Sequence, residues 1–161
     1  IIGRINGSAY GGGLGLISIC DTAIGVSSAN FRLTEVTLGL IPATISPFVV
    51  ARMGVPNARR TMTGARNMGG HDAVRFGLLT EVVETDDLDA AAEAEISRYL
   101  KCAPGAVTRS KELIEFVSTH NRDENTEYTA ARLADAWESE ELGQGIAAFL
   151  SREKPPWHVA D

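Results

Sequence analysis

Residues 6–16 read NGSAYGGGLGL. Three consecutive glycines, Gly11, Gly12 and Gly13, stand between an aromatic residue, Tyr10, and an apolar run. Glycine gives up more backbone freedom on folding than any other residue, so a triple belongs where side chains cannot be accommodated. IIGRI before it reads as a short apolar strand. Leu14, Leu16, Ile17 and Ile19 after it read as a helix that is apolar on nearly all sides, and so buried, running to Cys20. The glycines therefore mark a strand-to-helix junction with three possible uses: a phosphate cradle, an oxyanion site or close helix–strand packing. Phosphate patterns want GxGxxG with a later acid, or a GK[ST] ending. Contiguous glycines without a Lys-Ser/Thr pair match neither, and the other two uses stay open.

Beyond this junction the pattern continues as α/β. TAIGVS reads as a second buried strand, and FRLTEV as a third, after the turn at Ser28-Ala29-Asn30. Pro42 and Pro47 bracket a loop. A helix around FVVARMG stops at Gly54, and Pro56 opens the next, which stops at Gly64. Asp72–Phe76 reads as a short helix with Gly77 just past its end, and LLTEVV as a strand. After Thr85 only helices are expected: DLDAAAEAEISRYLKCA, a second from Pro104, a third through NTEYTAARLADAWES and a fourth through LGQGIAAFLSR. No Gly/Pro/Ser-rich linker separates the parts. The expectation is one domain in which residues 1–84 form the α/β portion and residues 85–161 a helical subdomain.

At 161 residues, 44% hydrophobic and 22% charged, the chain has the composition of a globular domain with a proper core. Its net charge of −6 argues against a nucleic-acid surface. Cys20, within LISIC, reads as a buried free thiol. Cys102 and the scattered His71, His120 and His158 show no metal-ligand spacing, so no metal is expected. No apolar run approaches the ~20 residues of a membrane span, and the opening IIGRI lacks the pattern of a signal peptide.

One acid is conspicuous. FRLTEVTLGLIP carries a single carboxylate, Glu35, among Leu33, Val36, Leu38, Leu40 and Ile41, which suggests an apolar pocket. The alternative is an exposed glutamate on an edge strand; a carboxylate among apolar neighbours is a candidate for proton transfer.

Together these stretches resemble the crotonase, or enoyl-CoA hydratase/isomerase, family. NGSAYGGGLGLISICD is similar to its glycine-rich oxyanion segment, and ANFRLTEVTLGLIP to its catalytic-glutamate segment. MTGARNMGGHDAVRFGLLTEVV resembles its helix–turn–strand signature, and GIAAFLSREKPPW its C-terminal element. The string LGLIPATISPFVV resembles the bacterial methylglutaconyl-CoA hydratase-like branch. The resemblance implies a crotonase-like ββα spiral core, partial here, with a helical C-terminal subdomain that forms trimers, or dimers of trimers. It implies an acyl-CoA substrate with no separate cofactor, coenzyme A being part of the substrate. It also implies a place in fatty-acid or leucine breakdown, in the bacterial cytoplasm or an organelle matrix.

Carried over position by position, Gly12 matches the residue whose N–H donates to the thioester oxygen, and Glu35 the glutamate that moves a proton beside the carbonyl. Gly11 and Gly13 would keep side chains out of the way. Leu14, Gly15, Leu33 and Pro42 would line the substrate, and Phe149 and Arg152 match positions that reach the coenzyme A of a neighbouring subunit. Two departures stand out. The family's dedicated hydratases carry a second glutamate where this chain has Gly15. Their chains also carry a long N-terminal part, with the other oxyanion donor, ahead of this segment, so the sequence is read as the C-terminal part of such a protein. The expected activity is hydration of a 2-enoyl-CoA. A one-glutamate 3,2-enoyl-CoA isomerase and a non-catalytic assembly module are the alternatives.

Overall fold

The structure is a computed structural model in which residues 1–159 are described. Two compact units divide the chain, Ile1–Ile96 and a second from Ser97 onward.

In the first unit strands and helices alternate. β1 (Ile2–Ile5), β2 (Ala9–Tyr10), α1 (Gly12–Ser18), β3 (Thr22–Val26) and β4 (Asn30–Arg32) are followed by a 3-10 turn, Glu35–Leu38. Then come α2 (Ser46–Met62), β5 (Met68–Gly69), α3 (Gly70–Arg75), β6 (Glu81–Val83) and α4 (Leu88–Tyr99). β3 is the centre of a parallel sheet ordered β1-β3-β6, with Ile2 opposite Thr22 and Val26 opposite Val83. All five β3 residues are buried, as expected of a central parallel strand covered on both faces. β4 is the centre of a second small sheet, parallel to β2 and antiparallel to β5. Leu14, Ile24, Phe31, Leu33, Val49 and Leu78 are among the residues that fill the core.

Several expectations are met and several corrected. Gly54 breaks α2 with φ 71 and ψ 158, and Pro56 follows where a missing N–H does least harm. Gly77, at φ 79, ends α3 as expected. Cys20 is a buried free thiol. α1 is not buried all round: Leu14 and Ile17 point inward, whereas Leu16 is 70% exposed. The strand expected at FRLTEV stops at Arg32. Thr34 turns to φ −95, ψ −8, so Glu35 starts the 3-10 turn instead of lying on a strand. The two-residue strands β2 and β5 were not foreseen, being too short to show a period.

The division also falls later than 84/85. Leu88 and Ala92, one turn apart on α4, are both buried, and Leu88 belongs to the core of the first unit. The helical pattern of that stretch shows a helix but not which side packs.

The second unit contains α5 (Pro104–Thr119), α6 (Arg122–Trp137) and α7 (Glu140–Ser151). Asn121 and Glu124 form a reciprocal capping box at the start of α6, and Ser139 Oγ accepts from Leu142 N–H at the start of α7. The Glu141 carboxylate accepts from the N–H groups of Gly105 (2.8 Å) and Ala106 (3.0 Å), closing the N-terminus of α5. Among the described residues of this unit, Ala148 is the only buried hydrophobic residue, while Ile114, Leu133, Trp137, Phe149 and Leu150 are each at least 60% exposed.

Candidate active site

Each of the three glycines lacks a side chain for a different reason. Gly11 has φ 52 and ψ −121, a conformation open essentially to glycine alone. A Cβ built on it would also lie 3.4 Å from Glu35 Oε1. A Cβ on Gly13 would meet Ala9 Cβ at 3.2 Å, so this glycine permits close helix–strand packing. A Cβ on Gly12 would meet nothing within 4 Å. The middle glycine faces open space.

The backbone amides follow the same division. Gly11 N–H donates to Arg32 C=O at 3.0 Å, tying α1 to β4, and Leu14 N–H turns back to Gly11 C=O at 3.0 Å. Gly12 and Gly13 begin the helix, where the first N–H groups have no intrahelical acceptor. Nor does either donate to another described backbone carbonyl.

Glu35 reaches this junction from the 3-10 turn. Its main chain is held by Leu40 N–H, which donates to Glu35 C=O at 3.0 Å, and Gly39 in the left-handed region closes the turn. Its side chain is half-buried, and Oε2 is buried without a hydrogen-bond partner among the described residues. An unpaired buried carboxylate oxygen is costly and calls for an explanation. Glu141 supplies the contrast. It too sits on a glycine, 2.7 Å from a Cβ built on Gly105, but both its oxygens are occupied by helix N–H groups and Arg109 lies 3.2 Å away. One carboxylate is spent on structure, and the other is left available.

Immediately after Glu35 the chain borders an apolar cleft of about 280 Å³, whose walls include Val36, Ile41, Pro42, Ala43 and Met62. The pocket expected from the neighbours of Glu35 is therefore made differently. Val36 and Ile41 contribute, but Leu38 and Leu40 are 74% and 61% exposed, and Leu33 is fully buried.

A family model for enoyl-CoA hydratase/isomerase matches residues 1–159. The chain belongs to this enoyl-CoA hydratase/isomerase family. An enoyl-CoA hydratase of Alternaria alternata is 34% identical over 151 residues, covering 92% of this chain and 50% of its own. Among solved structures, Pseudomonas aeruginosa AtuE superimposes with a TM-score of 0.91 at 34% identity, over 95% of this chain and 60% of that one. An enoyl-CoA hydratase/isomerase from Marinobacter aquaeolei gives 0.90 at 32%, over 95% and 58%. The chain thus spans about half the length of the Alternaria hydratases it matches.

Of the positions that the family resemblance singled out, Gly11, Gly12 and Glu35 come together in the first unit. Pro42 is buried and borders the cleft. Leu14 and Leu33 do not present side chains to a ligand: both have 0% exposure and belong to the core beneath the site. Gly15 is likewise buried, against Ile45. Phe149 and Arg152 lie in the second unit. Phe149 borders an apolar cleft of about 330 Å³ with Leu142, Ile146 and Trp157, and Arg152, at φ 57, ends α7. The residue that sequence reading missed is Ile45. No local pattern marks it, because what sets it apart is its contact with Gly15, thirty positions earlier.

Proposed function

We propose that the protein adds water to a 2-enoyl-CoA thioester, with Gly12 N–H steadying the thioester oxygen and Glu35 moving the proton. The observation that carries this is the buried, unpartnered Glu35 Oε2 beside the junction where the Gly12 amide starts α1. As water oxygen bonds to C3, Glu35 takes its proton and the C2–C3 π electrons move onto the thioester as an enolate. A donor at the start of α1 stabilises that oxygen as charge builds. Protonated Glu35 then returns the proton to C2 and the carbonyl re-forms. Water has been added and the carboxylate is regenerated. The cleft beyond Val36 supports a site for the acyl chain, and the string Ala43–Phe48 supports a branched, methylglutaconyl-type acid and a role in leucine breakdown.

One observation favours a second reading. With no acid at Gly15, a single carboxylate also suffices to take a proton from C2 of a 3-enoyl-CoA and return it to C4, an isomerisation. The apolar surface of the second unit supports a further role in assembly, as a homotrimer or dimer of trimers, and the family resemblance supports Phe149 and Arg152, both exposed, as contacts to a neighbouring subunit's coenzyme A. The test uses the protein at its natural length with 2-enoyl-CoA and 3-enoyl-CoA. Glu35→Gln removes turnover of both if the proposal holds, and the wild-type ratio separates hydratase from isomerase. Full activity of Glu35→Gln on both substrates ends it.

A further inference from the structure

Gly15 is not an empty place. A Cβ built on it would lie 2.5 Å from Ile45 Cγ2 and 2.9 Å from Ile45 Cβ. Neither atom can swing aside. Ile45 is β-branched, with a stiff χ1, and its Cβ moves only with the main chain. That main chain is fixed as the residue preceding α2, its C=O accepting from Val49 N–H at 3.0 Å. The side chain is itself packed against the core. On α1, Gly15 stands one turn, about 6 Å, beyond Gly11, on which the Glu35 carboxylate rests.

We propose that Ile45 is a specificity-determining residue: by filling the volume beside Gly15 it restricts the site to one carboxylate. The proposal rests on the reading of Gly12 and Glu35 given above. Gly15 lies four residues after Gly11, on the same face of α1, so an acid there would be a second carboxyl group on the face that meets Glu35 at Gly11. Proton removal from water and proton delivery to carbon would then be divided between two groups. Ile45 denies that arrangement sterically, so Glu35 performs both transfers. Substituting Gly15 alone cannot introduce the second acid, because the obstacle is Ile45, the residue that precedes α2.

The experiment uses the natural-length protein and two readouts. First, Gly15→Ala is compared in the wild-type and Ile45→Gly backgrounds by urea unfolding. The midpoint falls in the first background and holds or rises in the second. An equal fall in both overturns the steric claim. Second, Gly15→Glu with Ile45→Gly is compared with Ile45→Gly alone on 2-enoyl-CoA and 3-enoyl-CoA. The ratio of hydration to isomerisation rises at least tenfold, in line with the gain from a positioned general acid–base. An unchanged ratio, in a protein whose turnover still depends on Glu35, overturns the proposal and leaves the proposed function standing. If wild type and Glu35→Gln turn over thioesters equally, the proposed function has failed and this inference falls with it.

Discussion

The Glu35 carboxylate rests on Gly11: a side-chain carbon at residue 11 would come 3.4 Å from Glu35 Oε1. This contact joins two segments with different tasks. Gly11 precedes α1 in a backbone conformation of its own and spends its N–H on β4, which frees the next amide to begin the helix without an acceptor. Glu35 arrives from a 3-10 turn with one oxygen buried and unpaired. Donor and acid are thereby set at one junction by glycine geometry.

Replacing Glu35 separates stability from activity. An unpaired buried oxygen opposes folding, and a neutral group in its place is easier to bury. Glu35→Gln is expected to hold or raise the urea midpoint while turnover falls by about 100- to 10,000-fold, the range for a lost general acid–base. Equilibrium unfolding and thioester kinetics on the same preparations check this.

Adjacent glycines should respond in opposite ways. Gly11→Ala forces an L-residue into φ 52, ψ −121 and is expected to lose about 1–3 kcal/mol. Gly12→Ala meets no atom of the chain and is a better helix former, so stability changes by no more than about 1 kcal/mol, in the favourable direction. Its turnover is expected to fall, because a methyl group in the open space beside this amide crowds a ligand oxygen that approaches it. Denaturation midpoints and kcat/KM for both variants are the measurements.

Glu141 is the structural counterpart of Glu35 and should behave as such. Glu141→Ala leaves the Gly105 and Ala106 amides uncapped and is expected to lose about 0.5–2 kcal/mol. Gly105→Ala, whose Cβ would meet Glu141 Oε2 at 2.7 Å, displaces the same cap and lowers the unfolding midpoint too. Amide exchange in the first turn of α5 reads both changes.

The exposed apolar surface of the second unit bears on assembly. Phe149 is 82% exposed, and if the protein assembles as proposed it is expected to be covered. Phe149→Glu is expected to shift sedimentation toward the monomer, since an unpaired charge in an apolar interface is strongly disfavoured. An unchanged sedimentation profile removes Phe149 from the interface.

Much of this was legible in the sequence because the deciding forces are local. The apolar strand, the break at Gly54 before Pro56 and the turn at Gly77 are written in neighbouring residues. The glycine triplet and Glu35 stood out because each breaks its surroundings, one by lacking side chains and one by carrying charge; the family resemblance then singled out Gly12 within the triplet. What could not be read depends on distant partners. Thr34 bends the chain away from the alternation of FRLTEV, Leu33 turns into the core, and α4 packs with the strands that precede it. Likewise, Gly13 is a glycine because of Ala9, Gly105 because of Glu141, and Gly15 because of Ile45.

The interruption of α2 at Gly54 has an evolutionary corollary. Ile45, Ser46 and the first turns lie on one side of the break; Ala58 and Thr61, both buried, lie on the other. Arg52, at the end of the first half, fastens it through its guanidinium to the carbonyls of Cys20 and Leu78. Of the α2 residues on the cleft wall, Ser46 precedes the break and Met62 follows it, so selection can alter the wall at Ser46 without re-registering the second half against the core. Substrate preference can drift in such a lineage while its scaffold stays still.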